Sequence, residues 1–122
     1  MRLEIKSFSD TGNLEKERVV LRATSDVDIG SYVVMRSKAA DDGAPISGQK
    51  SAYWLPDKMV KGGDLIVIYT KKGRSSKKEL DNGAMVYFYY WNLPDQIWGE
   101  GKNNVAVLFD AGDWISASPS NT

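Results

Sequence analysis

The sequence predicts an all-β fold of short strands, a sandwich or a barrel. Three observations carry that expectation. Apolar residues seldom recur at the 3.6-residue helical spacing, whereas period-two alternation and short apolar runs dominate. Turn signals separate those runs at Thr11-Gly12-Asn13, Asp42-Gly43, Lys72-Gly73, Asn82-Gly83 and Ala111-Gly112, each offering a glycine that takes positive φ freely. At 122 residues the chain is one domain long, enough to bury a single core without metals or cross-links.

Taken in order, the first strand is expected over Arg2–Phe8, where polar and apolar side chains alternate. In Arg18–Ala23, Val19, Leu21 and Ala23 share one face and Arg18, Val20 and Arg22 the other, so the strand is half-buried. Tyr32–Arg36 and Ser51–Leu55 are shorter runs between turns. Gly62-Gly63-Asp64 then turns the chain into Asp64–Thr70. There Leu65-Ile66-Val67-Ile68-Tyr69 is apolar on both faces, as a strand central to its sheet should be. Ala84–Trp91, Asn104–Asp110 and Trp114–Ala117 complete the set. The domain is expected to span 1–117, with 118–122 a disordered tail.

Composition excludes several function classes. Sixteen Lys+Arg balance sixteen Asp+Glu, so no global field draws the protein to nucleic acid or an anionic membrane. With neither histidine nor cysteine, the chain lacks the usual general base, a thiol nucleophile, disulfides and imidazole or thiolate metal ligands. No motif supports an enzyme, and no cofactor or metal is expected. Asp26-x-Asp28-x-Gly30 and Asp41-Asp42-Gly43 lack the further acidic ligands of a calcium loop and are read as turn chemistry. MRLEIKSFSD has no unbroken hydrophobic run like that of a signal peptide. The longest apolar run, Leu65–Tyr69, is too short to cross a bilayer. The expectation is therefore a cytoplasmic protein without membrane contact.

Several blocks, in this order, resemble the lamin tail domain. They are Glu17-Arg18-Val19-Val20-Leu21-Arg22, Asp28-Ile29-Gly30-Ser31-Tyr32-Val33-Val34 and Tyr53-Trp54-Leu55-Pro56, then Lys61-Gly62-Gly63-Asp64 running into Leu65–Tyr69. Ile97-Trp98-Gly99-Glu100-Gly101 and Val105–Gly112 close the match, which covers roughly residues 15–117, while the segment between Tyr69 and Trp98 departs from it. The resemblance implies an immunoglobulin-like β-sandwich of two antiparallel sheets, a stand-alone bacterial-type member. It also implies a non-catalytic module that contacts other proteins, with no catalytic residues to carry over.

Two features suggest where contacts are made. Val86-Tyr-Phe-Tyr-Tyr-Trp91 packs five aromatics into six positions, with Val86, Phe88 and Tyr90 on one face and Tyr87, Tyr89 and Trp91 on the other. One sheet face cannot bury both sets. Because phenol hydroxyls are cheaper to leave in water, Tyr87, Tyr89 and Trp91 are expected to form a partly exposed protein-binding stripe, with Val86, Phe88 and Tyr90 inward. The competing reading is that a loop over 92–103 covers the second face. Lys71, Lys72, Arg74, Lys77 and Lys78 form an acid-free basic loop, read either as a solvated hairpin tip or as a weak phosphate-binding site. Trp98 reads as a plug for one end of the sandwich, and Trp54 and Trp114 as strand residues at sheet edges. The expected function is a protein-interaction or scaffolding module, as a homo-oligomer or as accessory subunit of a separately encoded enzyme. The alternatives are a nucleic-acid-associating protein using the basic loop and a carbohydrate-binding module using exposed aromatics.

Overall fold

A computed structural model describes residues 1–119. Those residues form ten strands and one 3-10 turn, with no α-helix among them. In chain order the strands are β1 (Leu3–Ser9), β2 (Arg18–Ala23), β3 (Val27–Asp28), β4 (Tyr32–Lys38), β5 (Ser51–Trp54), β6 (Met59–Val60), β7 (Leu65–Tyr69), β8 (Ser76–Glu79), β9 (Met85–Tyr90) and β10 (Asn104–Asp110). A five-stranded sheet runs β1-β2-β7-β9-β8, a three-stranded sheet β10-β4-β5, and β3 pairs with β6. No helix among the described residues is long and apolar enough to cross a membrane.

The strand expected to be central is central. Gly63, at φ +94, tightens the turn in which Asp64 N–H donates to the Lys61 carbonyl at 3.0 Å. The chain then enters β7 between β2 and β9, and Ile66, Val67 and Ile68 are buried. The aspartate motifs also serve as turn chemistry. Asp28 Oδ1 accepts from Gly30 N–H at 2.9 Å and Lys58 N–H at 3.1 Å, and Asp42 Oδ1 accepts from Ala44 N–H at 2.9 Å.

The expectation of two antiparallel sheets needs correction, because β9 lies parallel to β7 and pairs Leu65 with Val86 through Tyr69 with Tyr90. The cause is a β8–β9 hairpin that folds back and sets β9 between β7 and β8. Gly83, at φ +85, and Asn82 Oδ1 on Ala84 N–H at 3.0 Å shape its tip. Sequence reading missed β8, since Ser76–Glu79 has no apolar alternation. It becomes a strand by pairing with β9. Conversely, Trp114–Ala117 forms no strand, because no strand among the described residues pairs with it. Residues 120–122 of the expected tail lie outside the described residues, and Ser118 and Pro119 carry no regular structure.

One hydrophobic cluster draws on both larger sheets. Val19, Leu21, Ile66 and Ile68 come from the five-stranded sheet and Tyr32 and Val34 from the three-stranded one. Its polar counterpart is Glu17, fully buried at the foot of β2. The Glu17 carboxylate accepts four hydrogen bonds: Gly12 N–H at 2.8 Å, Trp98 N–H at 3.1 Å, Ile97 N–H at 2.9 Å and the Thr70 hydroxyl at 2.5 Å. Three chain segments distant in sequence are thereby fastened at one point.

Candidate interaction surface

The β9 aromatics alternate as expected, but the faces are reversed. Tyr89 and Trp91 are 9% and 8% exposed and belong to the core cluster, and Tyr87 packs against it half-buried. Register decides this. Asp64 Oδ1 accepts from Met85 N–H at 3.0 Å, which fixes the start of β9 so that Tyr87 and Tyr89 fall opposite the inward Ile66 and Ile68. Trp91 packs against Tyr53 at 5.9 Å and against Trp98 at 6.2 Å between ring centroids. The preference of phenols for water is overridden by the partner strand. Burial raises the phenol pKa of Tyr53, Tyr87 and Tyr89 above the ordinary value; the Asp64 carboxylate adds to this at Tyr87, as do the neighbouring phenols Tyr53 and Tyr87 at Tyr89.

On the outer face of the same sheet, Phe88 and Tyr90 pack with Tyr69 rather than with the core. Tyr69 and Tyr90 stack at 5.2 Å with 15° between planes, and the Arg18 guanidinium lies 5.6 Å from the Tyr69 ring centre. Gly73 sits so close that a β-carbon there would meet the Tyr90 ring at 2.4 Å.

The basic residues of 71–78 do not converge. Lys71 lies 5.5 Å from the Tyr69 ring centre and 3.6 Å from a Glu15 oxygen. Lys72 and Arg74 are exposed in the connection, and Lys77 and Lys78, neighbours on β8, project to opposite sides. Trp98 is half-buried against the core cluster, 6.2 Å from Trp91 and 5.3 Å from Phe8 between ring centroids.

A surface that sequence reading did not single out lies on the outer side of the three-stranded sheet. Since Tyr32 and Val34 face the core, Val33 and Met35 of β4 face away, joined in register by Trp54 and Ala52 of β5 and by Phe109 and Val107 of β10. Trp54 is 51% exposed, Phe109 43%, Trp114 55% and Ile115 95%. Trp54 is not loose. Its indole N–H donates to the Gly30 carbonyl at 2.7 Å, and Trp114 meets it edge-on at 4.8 Å. Together with Val33, Ala111 and Ile115 these rings line a cavity of about 230 Å³. The missed signal was the shortness of Ser51–Trp54. β5 ends at Trp54, two residues before Pro56, and among the described residues no further strand pairs with it.

Neither a protein-family model nor a curated protein matches the chain.

Proposed function

We propose that this chain is a lamin-tail-like, immunoglobulin-like β-sandwich acting as a non-catalytic protein-interaction module, and that it docks its partner on the outer face of the three-stranded sheet. The shared core of the two larger sheets supports the sandwich. The ordered blocks from Glu17 to Gly112 support the family reading.

The observation that carries the function is Trp54, half exposed and yet locked. Its indole N–H already has a partner in Gly30, so what it offers to another molecule is apolar ring, and binding costs it little rotamer freedom. Tryptophans in such settings dominate interface energies. The surrounding Val33, Phe109, Trp114 and Ile115 extend it into a contiguous apolar patch of the kind that marks contact sites on soluble proteins. The basic residues of 71–78 offer no comparable focus.

The test is site-specific photocrosslinking in the native host, with the probe at Trp114 and, as control, at Ser76 on the other sheet. A discrete adduct from Trp114, lost on Trp54→Ala with melting retained, is the expected result. Equal labelling from both positions, or an adduct indifferent to Trp54→Ala, would count against the surface.

A further inference from the structure

The two larger sheets present four free edges, and three of them are protected. β1 carries Lys6 and a register shift between Ile5 and Ser7, β8 carries Lys77, Lys78 and Glu79, and β5 is only four residues long. The fourth edge is β10. Its Asn104-Val-Ala-Val-Leu-Phe-Asp110 pairs with β4 over seven residues without a bulge, has no proline, and carries no charge before Asp110. Half of its backbone N–H and C=O groups point away from β4, and among the described residues no strand lies beyond them. Such an edge is a template for another strand.

We infer that the occupant is a second copy of this chain, adding its own β10 antiparallel across a two-fold axis at Val107. The β10 sequence is complementary to itself in that register. Phe109 of one copy faces Val105 of the other, Leu108 faces Ala106, and Val107 faces Val107, so large residues meet small ones on both sides of the joined sheet. At each end Asn104, whose side-chain amide N–H donates to the Ile97 carbonyl of its own chain at 2.6 Å, falls opposite Asp110. Beside the edge lies an open groove of roughly 600 Å³ between β10 and β1, lined by Leu3, Ile5, Pro45 and Val105–Leu108. Leu108 and Ala106 of the incoming strand fill it. Pairing joins two three-stranded sheets into one of six strands with closed, isologous symmetry. This inference rests on the backbone edge of β10 and not on Trp54, although Phe109 belongs to both surfaces.

The absence of cysteine makes the register directly readable. Facing β-carbons in an antiparallel pair lie within disulfide reach. Under mild oxidation Val107→Cys is expected to cross-link to itself. Val105→Cys and Phe109→Cys should fail alone, because each lies two residues off the axis and so four residues in register from its own copy, and should cross-link when mixed. Light scattering of the unmodified chain should give twice the 13.5 kDa chain mass. Val107→Lys, which sets two ammonium groups face to face, should return it to one. Trp54→Ala should leave the dimer intact. A monomer at every concentration up to about 500 µM, or a dimer in which Val107→Cys cross-links no faster than Ser76→Cys, overturns the proposal. If Val107→Lys does not fold, the cysteine pairs still decide between these outcomes.

Discussion

Replacing Glu17 by alanine removes a fully buried carboxylate on which four donors converge. Three of them are backbone N–H groups of Gly12, Ile97 and Trp98, which have no alternative acceptor in place, and each stranded buried donor costs about 1–3 kcal/mol. Summed naively the loss reaches roughly 10 kcal/mol, but the loops carrying these donors lie at the surface and can open to water. Breaking a buried charged network by removing one partner typically costs about 3–5 kcal/mol, and about 4 is the expected loss here. For a chain of this size that lowers Tm by on the order of 10–20 °C. Glutamine should rescue little, because one of its two heteroatoms is itself a donor facing donors. Urea denaturation followed by circular dichroism measures the loss, and tryptophan fluorescence reports release of Trp98. A cost below about 1 kcal/mol with Trp98 emission unchanged would show that the four bonds are not what holds the loop.

The reversed faces of β9 make Tyr89→Ala cost about 3–5 kcal/mol in chemical denaturation and Phe88→Ala markedly less, the opposite of the order expected from the sequence. Ile68→Asp, which places a carboxylate in the core with no partner, should abolish cooperative melting. Gly99→Ala would bring a β-carbon within 2.9 Å of the Gly12 α-carbon, and thermal melting should show a loss of about 1–3 kcal/mol as the two loops are forced apart. At alkaline pH, the raised phenol pKa values of Tyr53, Tyr87 and Tyr89 mean that the unfolded chain gives up these protons first. Their stabilising effect is complete below about pH 10 and declines as pH rises through the folded-state values. Absorbance at 295 nm should show them ionising later than in urea, and simultaneous ionisation in both states would contradict their burial.

What was legible in the sequence was local. Turn glycines, the alternation of β2 and the two-sided apolar run of β7 are written in adjacent residues, and those strands appear where expected. The parity of β9 was equally local, but which parity faces the core depends on Asp64, twenty-one residues away, holding Met85 N–H. β8 owes its existence to the edge of β9, and Trp114–Ala117 has strand-forming residues without a partner, so neither could be judged from its own composition. Glu17 reads as an ordinary charge before a strand. Two of its donors lie about eighty residues along the chain, and no local pattern announces them.

The placement of β9 between β7 and β8 also bears on synthesis. When β7 has emerged from the ribosome and paired with β2, its other edge, Leu65-Ile66-Val67-Ile68-Tyr69, has no neighbour until β9 follows. The β8–β9 hairpin, joined by local contacts, is expected to form in microseconds and dock as a unit, but only once residue 90 is free. A nascent chain that has left the ribosome only as far as a point between residues 70 and 90 therefore exposes the apolar strand β7 along a bare edge, the condition under which strands recruit one another. Chains stalled with residue 75 just clear of the ribosome should bind a holdase chaperone, and chains stalled with residues well beyond 90 clear of it should be released.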